Sequence, residues 1–337
     1  MSATNPVLVE VTRGALVESR HRGAAVVVDA AGTIVRGWGD TGQPVYPRSA
    51  NKPLQAVALV ESGAAARWGA IDAEIALACA SHFGEPHHTA AVAQLLARLG
   101  LGADDLECGT HAPYHAATAE ALLRAGQPPS ALHNNCSGKH CGFLATAVHL
   151  GEPTRGYVAY DHPVQRRVSR TLAELYGLDV ERLPWGIDGC GIPTLAVPLE
   201  ALARGMARLA DPGGLGADRS AAAQRIVRAI SAHPLMIGGT DSFASRVTAA
   251  LGGAVIAKSG AEGVYGALVP ARGWGIAIKI DDGAPRAAEL ALAAVLEQLG
   301  VLDASARAAL HGVLALELHN RAGRVIGALR PGPVFGA

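Results

Sequence analysis

The alternation from Val7 to Val11 predicts a strand. Two apolar runs, Ala24–Asp29 and Thr33–Trp38, flank Ala30-Ala31-Gly32 and predict a hairpin. From Ser49 the period changes to that of a helix. Ser49–Glu61 places Leu54, Val57, Ala58 and Val60 at helical spacing, and Pro53 falls in the first turn, where it is tolerated. Further helices are predicted over Asp72–Ala80, Glu85–Leu99, Thr118–Arg124, Gly138–Leu150, Pro163–Tyr176, Pro198–Leu209 and Arg219–Ser231, with a glycine-rich loop at Asp211–Gly216. Strands return at Ala254–Ala257, Val264–Val269 and Gly275–Ile280, and a helix over Ala287–Leu299 follows. Strands at the two ends of a chain need each other as partners. The pattern therefore predicts an α/β fold in one domain spanning 1–337. Its sheet comes from both chain ends (about 1–48 and 250–337) and packs against helices, beside a mostly helical lobe (about 49–249).

Composition narrows the functions open to such a fold. The 337 residues hold 29 basic and 29 acidic side chains, so there is no basic footprint for nucleic acid and no polybasic membrane patch. Apolar stretches are short and broken by charge or glycine, and none reads as a transmembrane helix. Met1–Pro6 has neither a charged nor an apolar leader segment, so no signal peptide is expected. Five cysteines are an odd number for a disulfide framework, and a cytoplasmic protein with reduced thiols is the expectation.

Two serine–lysine pairings carry the chemistry. The first is Ser49-Ala50-Asn51-Lys52, an S-x-x-K, preceded by Tyr46-Pro47-Arg48. On a helix this spacing puts both side chains one turn apart on one face. The second is Ser81-His82, after the apolar run Ile75–Ala80, with Lys258-Ser259-Gly260 far downstream as the counterpart of a K-S/T-G strand motif. A serine hydroxyl attacks only when a base takes its proton, and a lysine can be that base when burial or a neighbouring cation disfavours its ammonium. Against this, S-x-x-K alone reads more readily as a helix cap at Ser49 beside a solvated lysine, and Ser81-His82 reads equally as a helix C-terminus. No S-D-N element accompanies the S-x-x-K, which argues against a penicillin-recognising enzyme.

The densest polar cluster is Asn134-Asn135-Cys136-Ser137-Gly138-Lys139-His140-Cys141. A second glycine-laced loop, Trp185–Pro193, carries Asp188 and Cys190. By spacing alone Cys136 and Cys190 read as buried apolar thiols, as a disulfide in an oxidising setting, or as part of a metal site. In His233–Phe243 the pair Gly238-Gly239 precedes a helix start with Thr240 or Asp241 as the cap.

Together, Pro47–Lys52, Ser81-His82, Cys136–His140, Asp188–Gly191, His233–Thr240 and Lys258–Gly263 resemble the Rhizobium-type L-asparaginases, the class 3, asparaginase II or thermolabile family. The resemblance covers nearly the whole chain. It implies a fold related to serine β-lactamases and glutaminases, a homodimer, and L-asparagine as the small-molecule substrate. It implies tandem Ser–Lys catalysis by Ser49 with Lys52 and Ser81 with Lys258. It further implies a zinc site at Cys136, Lys139 and Cys190, completed by water, with Asp188 beside it; the ion would shape the site and tune specificity.

On that basis Ser49 is expected to attack, with Ser81 as the alternative nucleophile. Arg48 is expected to hold the substrate α-carboxylate, Glu262 or Asp188 to face its ammonium, and His82 to line the site. The rivals are a serine glutaminase-like enzyme, a zinc-dependent amidohydrolase and an amino-acid sensor. Cys79, Cys108 and Cys141 are expected to be buried packing residues.

Overall fold

The computed structural model describes residues 4–310 and 316–336. Its centre is an eight-stranded antiparallel sheet. Strands β1 (Val7–Arg13), β2 (Leu16–Asp29) and β3 (Ile34–Trp38) come from the start of the chain. Strands β8 (Ile256–Ser259), β9 (Val264–Val269), β10 (Trp274–Ile280), β11 (Leu316–His319) and β12 (Val325–Pro331) come from its end. The spatial order is β11-β12-β1-β2-β10-β9-β8, with β3 on the inner half of β2. The two ends thus build one sheet, as expected. Between them run short strands β4 (Pro44–Val45), β5 (Trp185–Ile187), β6 (Pro193–Leu195) and β7 (Val197–Pro198), paired as β4–β7 and β5–β6.

Strand β2 serves two partners in succession. Leu16–Arg22 pairs with β1, and Gly23–Asp29 pairs with β10 on one side and β3 on the other. Its inner stretch Ala24–Val28 is buried on both faces. That explains an apolar run without alternation: a strand covered on both sides has no solvent face to mark with polar residues.

The helical middle comprises α1 (Lys52–Glu61), α2 (Ala64–Arg67), α3 (Asp72–Ala78), α4 (Pro86–Arg98), α5 (Ala116–Arg124), α6 (Ser137–Leu150) and α7 (Pro163–Tyr176). It continues with α8 (Leu199–Ala210), α9 (Ala217–Ala232) and α10 (Phe243–Ala250); α11 (Pro285–Gln298) and α12 (Ala304–Ala309) lie near the end. Helix α8 falls within the predicted helical lobe by number, yet it packs on β2, β9 and β10 of the sheet. Gly275 of β10 makes this possible, because a Cβ there would collide with the Ala203 carbonyl and the Ala207 amide of α8. Helix α11 contacts β1, β2, β9, β10 and β12.

Some features depart from the sequence reading: β2 begins at Leu16 rather than Ala24, and helices α2 and α12 were not predicted. Strands β11 and β12 follow the helix that was the last element expected. Helix α10 is capped by Ser242, whose Oγ accepts from Ser245 N, and not by Thr240 or Asp241. Residues 48–51 form a 3-10 turn ahead of α1, so Ser49 and Lys52 do not share one α-helical face. Arg48 opens that turn with a left-handed backbone, φ 51°.

Candidate active site

The apolar run of α3 ends at Ala78, and the chain then passes extended between two loops. The backbone amides of Ser81, His82 and Phe83 donate to Ile237 O (3.0 Å), Asn135 O (3.1 Å) and Gly238 O (2.7 Å). Ser81 is therefore held by its backbone from both sides, past the end of the helix rather than capping it.

Both lysines reach this one serine. Lys258 Nζ, at the end of β8, lies 2.8 Å from Ser81 Oγ and donates to Ser259 O at 2.8 Å. Lys52 Nζ lies 3.0 Å from Ser81 Oγ and donates to Ala80 O at 2.5 Å. Ser49 makes no hydrogen bond to either amine among the described residues; the expected Ser49–Lys52 pairing is replaced by Ser81–Lys52. The cause is local: the 3-10 turn breaks the one-turn register, and Lys52, first in α1, turns inward. Ser49 sits on the turn that packs against β8, since a Cβ on Gly260 would meet Pro47 O at 2.7 Å and Ala50 N at 3.1 Å.

Lys52 and Lys258 are each only 1 % exposed. Burial, and for Lys258 the nearby Lys52 charge, pushes the Lys258 ammonium well below its ordinary range. Lys52 is lowered too, by burial, but the Cys136 sulfur 3.1 Å from its Nζ supports its charge.

Behind the lysines lies a cluster of two thiols and an amine. Cys136 caps α6, with its amide fixed by Asn134 Oδ1 at 2.8 Å, and Lys139 follows one turn on. Cys190 and Asp188 come from the tip of the β5–β6 hairpin, closed by Asp188 N donating to Ile192 O (2.8 Å) and Gly191 N to Asp188 O (2.9 Å). Gly191 supplies the left-handed φ of 89° that this tip needs. Lys139 Nζ donates to Cys190 Sγ at 3.0 Å. The hydrogen bond between the thiols lowers Cys136 well below the ordinary thiol range and raises Cys190, so Cys136 is the thiolate of the pair. Although burial opposes it, the sulfurs of Cys136 and Cys190 and the Asp188 carboxylate raise Lys139. All five cysteines are free and buried, which removes the disulfide reading.

The linked Cys136 and Cys190 sulfurs are donors of the kind zinc takes, with bonds of about 2.3 Å, and the Lys139 nitrogen on Cys190 would join them once it gives up its proton.

Arg48 Nε donates to Asp188 Oδ1 at 2.7 Å, which joins the first serine segment to the hairpin tip. Burial opposes ionisation of Asp188, but Lys139 and Arg48 hold its carboxyl below the usual range. Arg48 also lines an open cleft of about 410 Å³ with Tyr46, Glu262, Lys279 and Asp281. Arg48 and Glu262 are the non-glycine residues with positive φ among the described residues, and both line this cleft. Such strain persists only where surrounding structure enforces it, and it concentrates at functional sites. Lys279 does the enforcing at Glu262, donating to Glu262 O at 2.6 Å and Ile280 O at 2.8 Å. Sequence reading missed Lys279, although a lone lysine in the apolar strand Trp274–Ile280 was a visible signal.

His82 departs from its expected place at the substrate. It is fully buried, and both ring nitrogens are used. Ser137 Oγ donates to Leu132 O at 3.0 Å, so His82 Nε2 donates to Ser137 Oγ at 2.8 Å while Nδ1 accepts from Gly84 N at 3.1 Å. The ring is a neutral brace between the Ser81 segment and α6, and burial holds it neutral.

The L-asparaginase II family model matches residues 9–331. The chain is thus an amidohydrolase by class. It belongs to the L-asparaginase II family. No curated protein matches the chain. Among solved structures, it is similar to a β-lactamase from Mycobacterium bovis, with 15 % identity over 87 % of this chain and 95 % of that one, at a TM-score of 0.41. It is also similar to a mutant simvastatin synthase from Aspergillus terreus, with 10 % identity over 77 % of this chain and 86 % of that one, at a TM-score of 0.42. Among the described residues no helix is long and apolar enough to cross a membrane.

Proposed function

We propose that this protein hydrolyses L-asparagine to L-aspartate and ammonia through an acyl-enzyme on Ser81. The observation that carries the proposal is one hydroxyl within 3.0 Å of two buried lysine amines. Ser81 has a single proton to give. Lys258, the more strongly depressed of the two, has the free lone pair to receive it, and Lys52 beside the Cys136 thiolate keeps its charge and donates. The Ser81 oxygen attacks the side-chain amide carbon as its proton passes to Lys258. The Lys258 ammonium then protonates the leaving nitrogen, the C–N bond breaks, and ammonia departs. Water repeats the sequence on the ester and releases aspartate. Ser49, on the turn against β8 and without a hydrogen bond to either lysine, takes no part in these steps.

Recognition of a free amino acid needs one cation and one anion in a polar cleft. The guanidinium of Arg48 still has its Nη groups for an α-carboxylate, and Glu262 in the same cleft suits the α-ammonium. Asp188, already paired to Arg48, positions that arginine. Cys136, Lys139 and Cys190 would hold zinc. Bound there, the ion supplies a fixed positive charge behind Lys52 that shapes the site. The homodimer and the cytoplasmic location belong to the same reading.

Ammonia release from L-asparagine and L-glutamine by wild type, Ser81→Ala, Ser49→Ala and Lys258→Met tests it. Ser81→Ala and Lys258→Met should each lose at least ~10²–10⁴-fold in kcat, the scale of a lost proton-transfer partner. Ser49→Ala should lose less. Full activity in Ser81→Ala would overturn the assignment. Retained activity in both serine variants, abolished by chelation, would favour the zinc-dependent amidohydrolase. Equal turnover of glutamine would favour the glutaminase reading.

A further inference from the structure

The geometry points to a separate metal site, free of sulfur, at Glu85, His87 and His88, where α4 begins. One ligand atom from each residue lies within 4.8 Å of the others. Glu85 and His88 are buried and His87 is exposed, so the site opens to solvent on one side.

The decisive feature is His88. Its Nε2 lies 3.0 Å from Leu235 O, which can only accept, so Nε2 carries the proton. Nδ1 is then a bare lone pair, and it is buried with no hydrogen-bond partner. A buried polar atom without a partner calls for an explanation, and a neutral imidazole with one free nitrogen is what a metal takes. Glu85 is prepared in the same way. Its Oε1 accepts from Thr240 N at 2.9 Å and its Oε2 from Thr240 Oγ1 at 3.2 Å, which fixes the carboxylate while leaving a lone pair on each oxygen. Outer hydrogen bonds that orient a ligand are the usual support of a metal site. Two imidazoles and a carboxylate, with water entering past His87, form a three-ligand set of the zinc type.

The site has a structural consequence. Glu85 and His88 both grip the 235–240 segment, the segment whose Ile237 and Gly238 carbonyls hold Ser81 and Phe83. A divalent ion here locks the support of Ser81 without touching it.

Cobalt(II) titration of the tag-free, metal-stripped full chain tests this. Cys136→Ser/Cys190→Ser removes the sulfur donors. It is expected to bind one cobalt with visible d–d bands, no near-ultraviolet thiolate charge-transfer band and a raised Tm. Adding His87→Ala or Glu85→Gln should abolish that binding, and Thr240→Val should weaken it by ~10-fold or more. His87 is exposed, so its replacement leaves the fold intact. A folded double-cysteine variant that binds no cobalt, or binds it equally after His87→Ala, overturns the site. Should the double variant not fold, the stoichiometry of wild type against His87→Ala decides: loss of one equivalent supports the site, and no change overturns it.

Discussion

The assignment of Lys258 as the base makes a thermodynamic demand that can be measured without turnover. Burial and the neighbouring Lys52 charge hold Lys258 well below 10.5, the value it takes when unfolding exposes it. Between its folded pKa and 10.5, the unfolded chain binds a proton that the folded chain does not. Stability therefore rises with pH across that window and flattens above it. One proton contributes a slope of about 1.4 kcal/mol per pH unit. Lys258→Met removes that proton. Urea unfolding from pH 8 to 9.5, with a chelator throughout, should give a slope lower than wild type by about 1.4 kcal/mol per pH unit. The absolute stability of the variant can move either way, because Ser81 Oγ and Ser259 O lose a partner while a buried amine disappears. The slope decides. The acid limb of kcat/KM should fall at the same folded pKa, with a plateau on the alkaline side. Equal slopes in the two proteins would mean that Lys258 is an ordinary ammonium, and the proposed base would be refuted.

Three further outcomes follow from the structure. Cys190 and Lys139 are both raised and both must lose protons to bind zinc, so affinity measured by chelator competition should climb by about tenfold per pH unit for each proton released; a flat profile would exclude this ligand set. Gly275→Val drives a side chain into the Ala203 carbonyl of α8 and should cost at least ~1–3 kcal/mol in urea unfolding, while Gly102→Ala, with open space around it, should cost little; equal effects would refute the close α8–β10 packing. Burial raises Glu289 to about 7 from 4.5, so its folded carboxyl loses stability as pH rises through that interval. Glu289→Gln should gain up to about 3 kcal/mol at pH 8 and nothing below pH 4, read by thermal or urea unfolding.

Legibility from sequence followed how local each signal was. Helix α7 and strand β9 were readable to the residue, because Pro163 and Gly177 bound one and an unbroken apolar run defines the other. The hairpin across Ala30-Ala31-Gly32 was equally plain, since Gly32 N closes it onto Asp29 O at 3.0 Å. Strands β11 and β12 were not, because at the edge strand β11 and its neighbour β12 mixed exposure and glycine blur the period. At the site, the residues were recognisable but their pairing was not. S-x-x-K spacing states what an α-helix would bring together, and the left-handed backbone at Arg48 replaces that helix with a 3-10 turn. Ser81 meets Lys258 across 177 residues of chain, a distance no spacing rule spans. Thr240 looked like a helix cap in sequence and instead fixes Glu85.

The sheet built from both chain ends sets the order of events during synthesis. Strand β2 emerges early with Ala24–Val28 apolar on both faces, yet its partner β10 lies some 250 residues later. Strand β3 can cover one edge of it at once, but the edge that takes β10 stays open until most of the chain has left the ribosome, and the helical middle must wait in contact with an unfinished sheet. Pairings so distant in sequence are closed late and slowly. A nascent chain stopped after α10 carries Ser81 and Lys52 but lacks Lys258, so under the proposed mechanism such a fragment has no base. Refolding should be slow and prone to aggregation, with bound chaperone most persistent on chains truncated before β10.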